Sequence, residues 1–478
     1  MFSFPVKETK EELNKLKASV LQTRPRWQYF PILLLTLGTL FAACPVNGSD
    51  FFVSPTGNDN NDGSIDHPFK TIGKAVGLAQ AGDTIFLRGG QHDYTSTISI
   101  SKSGQAENPI TLRAYQDEVP ILDFEQQGNG DSDRGIVLSG SYWHFNGFII
   151  QYAGDNGLNV NGGSHNILER LVTRMNGDSG LQLHTSSSYN LVINCDSYLN
   201  YDAKNHGENA DGFAAKFTLG PGNVFVGCRS WSNSDDGYDF WEAGNGVTVE
   251  NCWAFRNGVN IWGDTSFAGD GNGFKLGYGT GAHILIWCVA YDNPHNGIDV
   301  NGNETGVTVY NCTCMGNQGR NFYFDEHSSA HVLRNNLSYL GSITIYAEID
   351  DEYNSWNGFT VSAADFASLD SSGIDNPREP DGGLPKLSFL RLSTESLLID
   401  AGIDVGLPFQ GDYPDLGAFE RLEGDCEPDG DVDLDDLDRL TSNWLDVNCG
   451  SCNGADSDYN GKVDFYDFSR LARNWLEY

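Results

Sequence analysis

The sequence predicts an all-β chain, a right-handed parallel β-helix over residues 49–421, with a targeting segment over 1–48 before it and a small α-helical unit over 422–478 after it. Three observations carry this. A unit of about 24 residues recurs through the middle of the chain, short β-rich runs broken by Gly and Asn fill it, and the composition changes abruptly after Glu420. A unit of that size cannot bury its own apolar face, so it must stack on its neighbours. Right-handedness follows from the rule for parallel crossovers.

The first 30 residues carry lysines and arginines, and "PILLLTLGTLFAAC" then supplies an apolar-rich run of about 13 residues, the length of a signal-peptide core rather than a membrane span. Export, to the medium or the cell surface, is the expectation. "LFAAC" resembles a lipobox ending at Cys44, so ordinary cleavage, a lipid anchor and an uncleaved anchor stay open. The formal charge of −36 becomes −39 without residues 1–48, whose net charge is +3. That balance disfavours nucleic acid as a partner. An acidic surface can still meet an acidic polymer where a divalent cation bridges their carboxylates.

Next, "FFVSPTGNDNNDGSIDHPFKTIGKAVGLAQAGDTIFLRGGQHDY" reads as strand, loop, short helix and strand, the helix near Ile72 to Ala79 capping the open end of the solenoid. The repeats follow. "NCDSYLN", "GCRSWSN", "NCWAFRN", "WCVAYDN" and "NCTCMGN" align Cys195, Cys228, Cys252, Cys288 and Cys312, with Asn200, Asn233, Asn257, Asn293 and Asn317 five places on. "LVTRMN", ending at Asn176, extends the pattern backwards. Rungs stack about 4.8 Å apart, so the asparagines should bond amide to amide and the large residues two places before them (Tyr198, Trp231, Phe255, Tyr291 and Met315) should stack. The cysteines read as small core hydrophobes, not as metal ligands or disulfides.

Each ladder asparagine is followed by a loop, a Gly or Asn marker (Gly180, Gly212, Gly237, Gly273, Gly297, Asn321) and an alternating strand. In that register Asp211 and Asp236 precede their markers, Asp235 lies one place earlier, and Asp239, Lys275 and Asp299 share the second place after the marker on successive rungs. Asp211, Asp235, Asp236 and Asp239 thus converge beside Lys275. Like charges crowded this way raise one another's pKa unless a cation compensates. Four carboxylates without histidine or thiol make a hard oxygen cage suited to Ca²⁺ rather than zinc. Asp299 is expected to pair with Lys275. The insertions "YDAKNHGE" and "VNIWGDTSFAGD" fall where loops can wall a cleft.

"ENADGFAAK", "NSDDGYDF", "NCWAFRNG" and "GNGFKLG" resemble the family-nine polysaccharide lyases, pectate lyases with a right-handed parallel β-helix, over roughly residues 50 to 420. The resemblance implies Ca²⁺ ligands at Asp211, Asp235, Asp236 and Asp239 and a Brønsted base at Lys275. It implies β-elimination on an acidic polysaccharide, with pectate the expected substrate and rhamnogalacturonan or another uronide an alternative. An alkaline optimum follows if the carboxylates raise the lysine pKa more than Ca²⁺ lowers it. A β-helix glycoside hydrolase would use Asp235 and Asp236 as paired carboxylates but leaves Lys275 unexplained. A noncatalytic carbohydrate-binding adhesin is a reading of another class. Lys216 and Arg320 are candidates for contacts to uronate carboxylates along the cleft.

"IDAGIDVG…GDYPDLGAFE" resembles the closing segment of secreted β-helix proteins. Beyond it, "DCEPDGDVDLDD" and "DSDYNGKVDFYD" read as tandem calcium loops, each leading into a helix that ends "NWL". The expected ligands are Asp425, Glu427, Asp429, Asp431 and Asp436, then Asp456, Asp458, Asn460 and Asp467. Two such loops 31 residues apart, each with one following helix, resemble a dockerin module, which implies a cohesin or a cell-surface partner. Among Cys426, Cys449 and Cys452, one disulfide and one free thiol are expected.

Overall fold

The computed structural model describes residues 48–303, 305–325, 330–346, 348–449, 451–457 and 460–475. The apolar run at 31–44 and Asp458 lie outside them. Each coil of the chain adds one strand to each of three parallel sheets, of 12, 10 and 10 strands among the described residues. The first sheet starts at Asp50–Val53, the second at Gly90–Asp93 and the third at Ile98–Ile100.

Helix α1, Ile72–Leu78, caps the N-terminal end where it was expected. Thr71 accepts the Lys74 amide at 3.2 Å, and Ile72, Ala75 and Val76 turn into the core. The cap covers apolar edge residues that would otherwise offer a pairing template.

Alternation sets what faces in and what faces out. On the third sheet Phe213, Tyr238 and Phe274 stack inward, with ring centroids 5.1 and 4.7 Å apart, while the next residue on each rung points outward. The marker glycines permit this close stacking: a Cβ at Gly237 would lie 2.5 Å from the Gly273 carbonyl oxygen. Cys195, Cys228, Cys252, Cys288 and Cys312 are buried free thiols in the core.

The amide ladder runs from Asn176 through Asn200, Asn233, Asn257 and Asn293 to Asn317, with side-chain bonds of 2.8–3.3 Å. It ends on the marker Asn321, which accepts from Asn317 at 2.9 Å. A second ladder, Asn166–Asn190–Asn223, was not anticipated. Buried amides in such ladders satisfy one another and lock the rungs in register.

Outside the second sheet Tyr198, Trp231 and Phe255 stack, with centroids 4.3 and 5.6 Å apart. The closing segment runs back over this face. Phe389, Leu390, Leu398 and Leu416 pack on Trp253, Val289, Met315 and Leu337. Buried Arg229 donates to the Ile374 and Asn376 carbonyls, and Asp196 accepts from both Arg229 and Arg378. This ion pair ties the closing segment to the solenoid.

Helices α2, Leu434–Ser442, and α3, Phe465–Asn474, form the C-terminal unit around Cys426, Val432, Leu440, Val463 and Leu471. Cys449 and Cys452 form a disulfide and Cys426 is a buried free thiol, the one disulfide and one free thiol expected of this set, with the pairing given by the structure.

Candidate functional site

The site lies on the outer face of the third sheet and on the turns that enter it. Pairing sets Asp239 opposite Lys275 and Lys275 opposite Asp299 on successive rungs. Asp211, Asp235 and Asp236 sit on the preceding turns, because Phe213 pairs with Tyr238 and the marker glycines superpose. All four aspartates and Lys275 are buried.

Turn donors orient the carboxylates. Asp236 Oδ1 accepts from the Asn272 backbone N–H at 2.7 Å and side-chain amide at 2.9 Å, Asp239 Oδ1 from the Trp241 amide at 2.9 Å, and Asp211 Oδ2 from Ser179 Oγ at 2.9 Å. Asp235 accepts from the Asn209 amide at 2.9 Å and the Asp270 amide at 2.6 Å. Each aspartate therefore does what turn aspartates usually do. Asp236 and Asp239 also keep a second oxygen turned toward the cluster. Oxygens of Asp211, Asp236 and Asp239 lie within 4.8 Å of one another, as do oxygens of Asp235, Asp236 and Asp270.

Two lysines neutralise part of this charge. Lys275 Nζ lies 3.0 Å from Asp236 Oδ2 and 2.8 Å from Asp270 Oδ2. Lys216 Nζ lies 2.9 Å from Asp211 Oδ2 and 2.6 Å from Asp239 Oδ2. Burial alone would depress both lysines, but the carboxylates around them outweigh it and raise both above the ordinary range. Burial, with the neighbouring aspartates adding to it against Lys216, pushes Asp211 up to about 7. Asp235 and Asp236 are raised as well, first by burial and then by other carboxylates. Buried acids that repel one another in this way form a donor set fitted to a hard divalent cation.

Three placements differ from the sequence expectation. Asp299 is not the partner of Lys275: its carboxylate accepts from Asn296 Nδ2 and from the Asn301 amide, each at 2.7 Å, so local donors have taken it. Lys216 does not reach along the cleft but is buried among the aspartates. Arg320 is exposed, three rungs from Asp236 and so roughly 14 Å away, and bonds Thr344 Oγ1 and the Gly319 carbonyl.

Asp270 was missed. It ends the insertion "VNIWGDTSFAGD", and its position two residues before Asn272 on the neighbouring turn was the available signal. The two insertions fold on each other beside Asp235. Tyr201 stacks on Trp262 at 4.6 Å, Asp264 accepts from Tyr201 at 2.8 Å, and the Ala268 amide donates to the His206 carbonyl at 2.8 Å. Tyr201 and Trp262 also line a cavity of about 550 Å³ with Tyr152 and Lys204.

The C-terminal loops repeat one geometry. The Gly430 amide donates to Asp425 Oδ2 at 3.0 Å and the Gly461 amide to Asp456 Oδ2 at 2.7 Å, both glycines having positive φ. Asp436 accepts from the Cys426 amide at 2.6 Å and Asp467 from the Ser457 amide at 2.8 Å. The Asn460 amide donates to Asp456 Oδ1 at 3.2 Å, and the Asp429 amide to Asp425 Oδ1 at 3.3 Å. Burial first, then its acidic neighbours, push Asp425 up to about 7 and Asp429 to about 6. Glu427 is paired with Arg439 at 3.0 Å, and Asp431 contacts Lys386. Asp433, not anticipated, groups with Asp431 and Asp436 and also caps α2.

Comparison with known proteins finds relatives along the solenoid. A family model described as the Pel9A-like, right-handed β-helix region matches residues 51–336. Pectate lyase L of Dickeya dadantii (strain 3937) is 42% identical over 386 residues, covering 78% of this chain and 90% of that protein. The crystal structure of pectate lyase Pel9A superposes with a TM-score of 0.73 at 40% identity, covering 78% of this chain and 97% of that one. A solved rhamnogalacturonan lyase superposes at 0.66 with 28% identity, covering 73% and 97%. With three parallel sheets carrying a clustered set of aspartates and a lysine, and with relatives matched along nearly their whole length, the chain belongs to the Pel9A-like right-handed β-helix family and is a polysaccharide lyase.

Proposed function

We propose that the protein is an exported, calcium-dependent pectate lyase that cleaves de-esterified polygalacturonate by β-elimination, with Lys275 as the base. The observation that carries this reading is the placement of Lys275 one rung from Asp239 and within 3.0 Å of Asp236, on the outer face of the third sheet. Asp211, Asp235, Asp236 and Asp239 would hold the ion, with Asp270 close by. When bound, calcium supplies positive charge opposite the uronate carboxylate, where negative charge accumulates as C5 loses its proton.

The residues of the chain do the rest. Neutral Lys275 accepts the C5 proton, the C5–H electron pair becomes the C4–C5 double bond, and the C4 oxygen departs and takes a proton from solvent. Lys275 sits on a strand, so its Nζ is held rather than searching. Burial lowers the Lys275 pKa, the four carboxylates around it outweigh burial and raise it, and a bound calcium ion would lower it again. The rising limb of activity lies on the alkaline side where the carboxylates prevail, since only the neutral amine accepts a proton.

The relatives at 42% and 40% identity that are named pectate lyases favour polygalacturonate. The 28% likeness to a rhamnogalacturonan lyase keeps that polymer as the second reading. For the C-terminal unit, the paired loops support a dockerin-like, calcium-binding module that attaches the enzyme to a cohesin or a cell surface. The run at 31–44 supports export.

The test is a polysaccharide panel with and without chelator, following ultraviolet absorbance of the unsaturated product. Calcium-dependent absorbance on de-esterified pectin is expected. Reducing ends without absorbance would replace elimination by hydrolysis, and no cleavage of any uronide would favour the adhesin.

A further inference from the structure

We propose that Trp241 and Tyr278 form a stacking platform for a pyranose ring of the substrate, next to the unit whose proton Lys275 removes; this rests on the polyuronate reading above. Tyr278 is 62% exposed although its ring lies against Trp241, with centroids 4.6 Å apart. The Lys275 ammonium in turn lies 5.5 Å from the centre of the Trp241 ring. An exposed aromatic side chain alone needs no explanation. A pair of rings continuous with the side chain placed to take the proton does.

The backbone shows why the tyrosine stands clear of the fold. Phe217, Glu242, Tyr278 and Gly302 occupy one column, five places after their markers, and all have left-handed φ, at 61°, 52°, 55° and 72°. That conformation ends the third-sheet strand in a sharp turn and throws the side chain off the rung instead of into the core. A Cβ at Gly302 would lie in van der Waals contact with the ring, 3.5 Å from it, so the glycine leaves without a side chain a face of the tyrosine that any other residue there would cover. Phe217, 45% exposed, lies in the same column two rungs back. The insertions lie on the turns that enter the third sheet, and Phe217 and Tyr278 lie on the turns that leave it.

The chemistry of the occupant follows. A pyranose presents a face of C–H bonds and an edge of hydroxyl and carboxylate oxygens. The negative face of an aromatic ring attracts polarised C–H groups and excludes water from them. The carboxylate edge stays free to meet the cation site. Aromatic rings and a few charged groups converging on one cleft are what a ligand site requires.

The experiment uses the full chain carrying Lys275→Ala, so that bound oligomers are not cleaved, and titrates it with de-esterified oligogalacturonates of three to six units in calcium buffer by calorimetry. Adding Tyr278→Ala should weaken binding about fivefold, whereas adding Tyr278→Phe, which keeps the ring, should change it less than twofold. With Lys275 intact, Tyr278→Ala should raise KM by more than it lowers kcat. Equal affinity with and without the Tyr278 ring overturns the platform while the substrate class stands. Absence of oligomer binding in every variant, with calcium binding retained, overturns the platform and the polyuronate reading together.

Discussion

Lys216 Nζ sits 2.6 Å from Asp239 Oδ2 and 2.9 Å from Asp211 Oδ2, so a buried ammonium already occupies the carboxylate cluster in which a divalent cation would be held. A buried ion pair broken on one side costs about 3–5 kcal/mol, because the remaining charges lose their partner. Lys216→Met should therefore lower the melting temperature in chelator and enlarge the rise on adding calcium. Calcium affinity, measured by calorimetry, should increase several-fold. Unchanged affinity would mean that Lys216 and the ion do not compete.

Removing a ligand acts the other way. Asp236 holds the Asn272 turn with one oxygen and faces Lys275 with the other. Asp236→Ala should abolish cleavage at ordinary calcium levels while the circular dichroism spectrum of the β-helix persists. Wild-type activity at unchanged calcium dependence would remove Asp236 from the site.

Lys275→Ala should eliminate absorbance from the unsaturated product and leave calcium binding intact. Lys275→Arg should fail too, because a guanidinium stays protonated and cannot take the C5 proton. In the wild type, activity should rise with pH into the alkaline range. A maximum at acidic pH would contradict a lysine whose carboxylate neighbours raise its pKa.

Burial, and next Asp415, push Glu420 from 4.5 up to about 8. The folded closing segment thus binds this proton more tightly than the unfolded chain does, so stability is greatest below about pH 4.5 with respect to this group and declines as pH rises toward 8. The melting temperature should drop by roughly 3 °C across that window. Glu420→Gln should flatten the dependence, and an identical profile in the variant would show that another group is responsible.

Deleting residues 423–478 should leave cleavage of soluble polymer nearly intact. The solenoid and its closing segment have their own buried clusters, separate from that of the C-terminal unit. Adhesion to cells or to a partner is the property that should suffer. A folded truncation unable to cleave soluble pectate would place the boundary elsewhere.

The repeat, the register and the outward column of Asp239, Lys275 and Asp299 were legible in the sequence, because strand alternation and rung stacking are local rules that any aligned set of repeats must obey. The same rules put Asp211 and Asp236 in one turn column with Asp235 one place earlier, and the cysteines and asparagines in the interior. Three things needed the tertiary structure. Asp270 reaches Lys275 only because its insertion folds against the other one, and no period governs an inserted loop. Lys216 and Asp299 lie where the register puts them, but which carboxylate or amide each side chain pairs with depends on its neighbours in space, and for Asp299 the nearest donors won. The path of the closing segment over the second sheet, tied by Asp196 to Arg229 and Arg378, joins residues 182 apart in the chain. Contacts of that range are fixed by burial and charge in the folded molecule, and sequence periodicity carries no record of them.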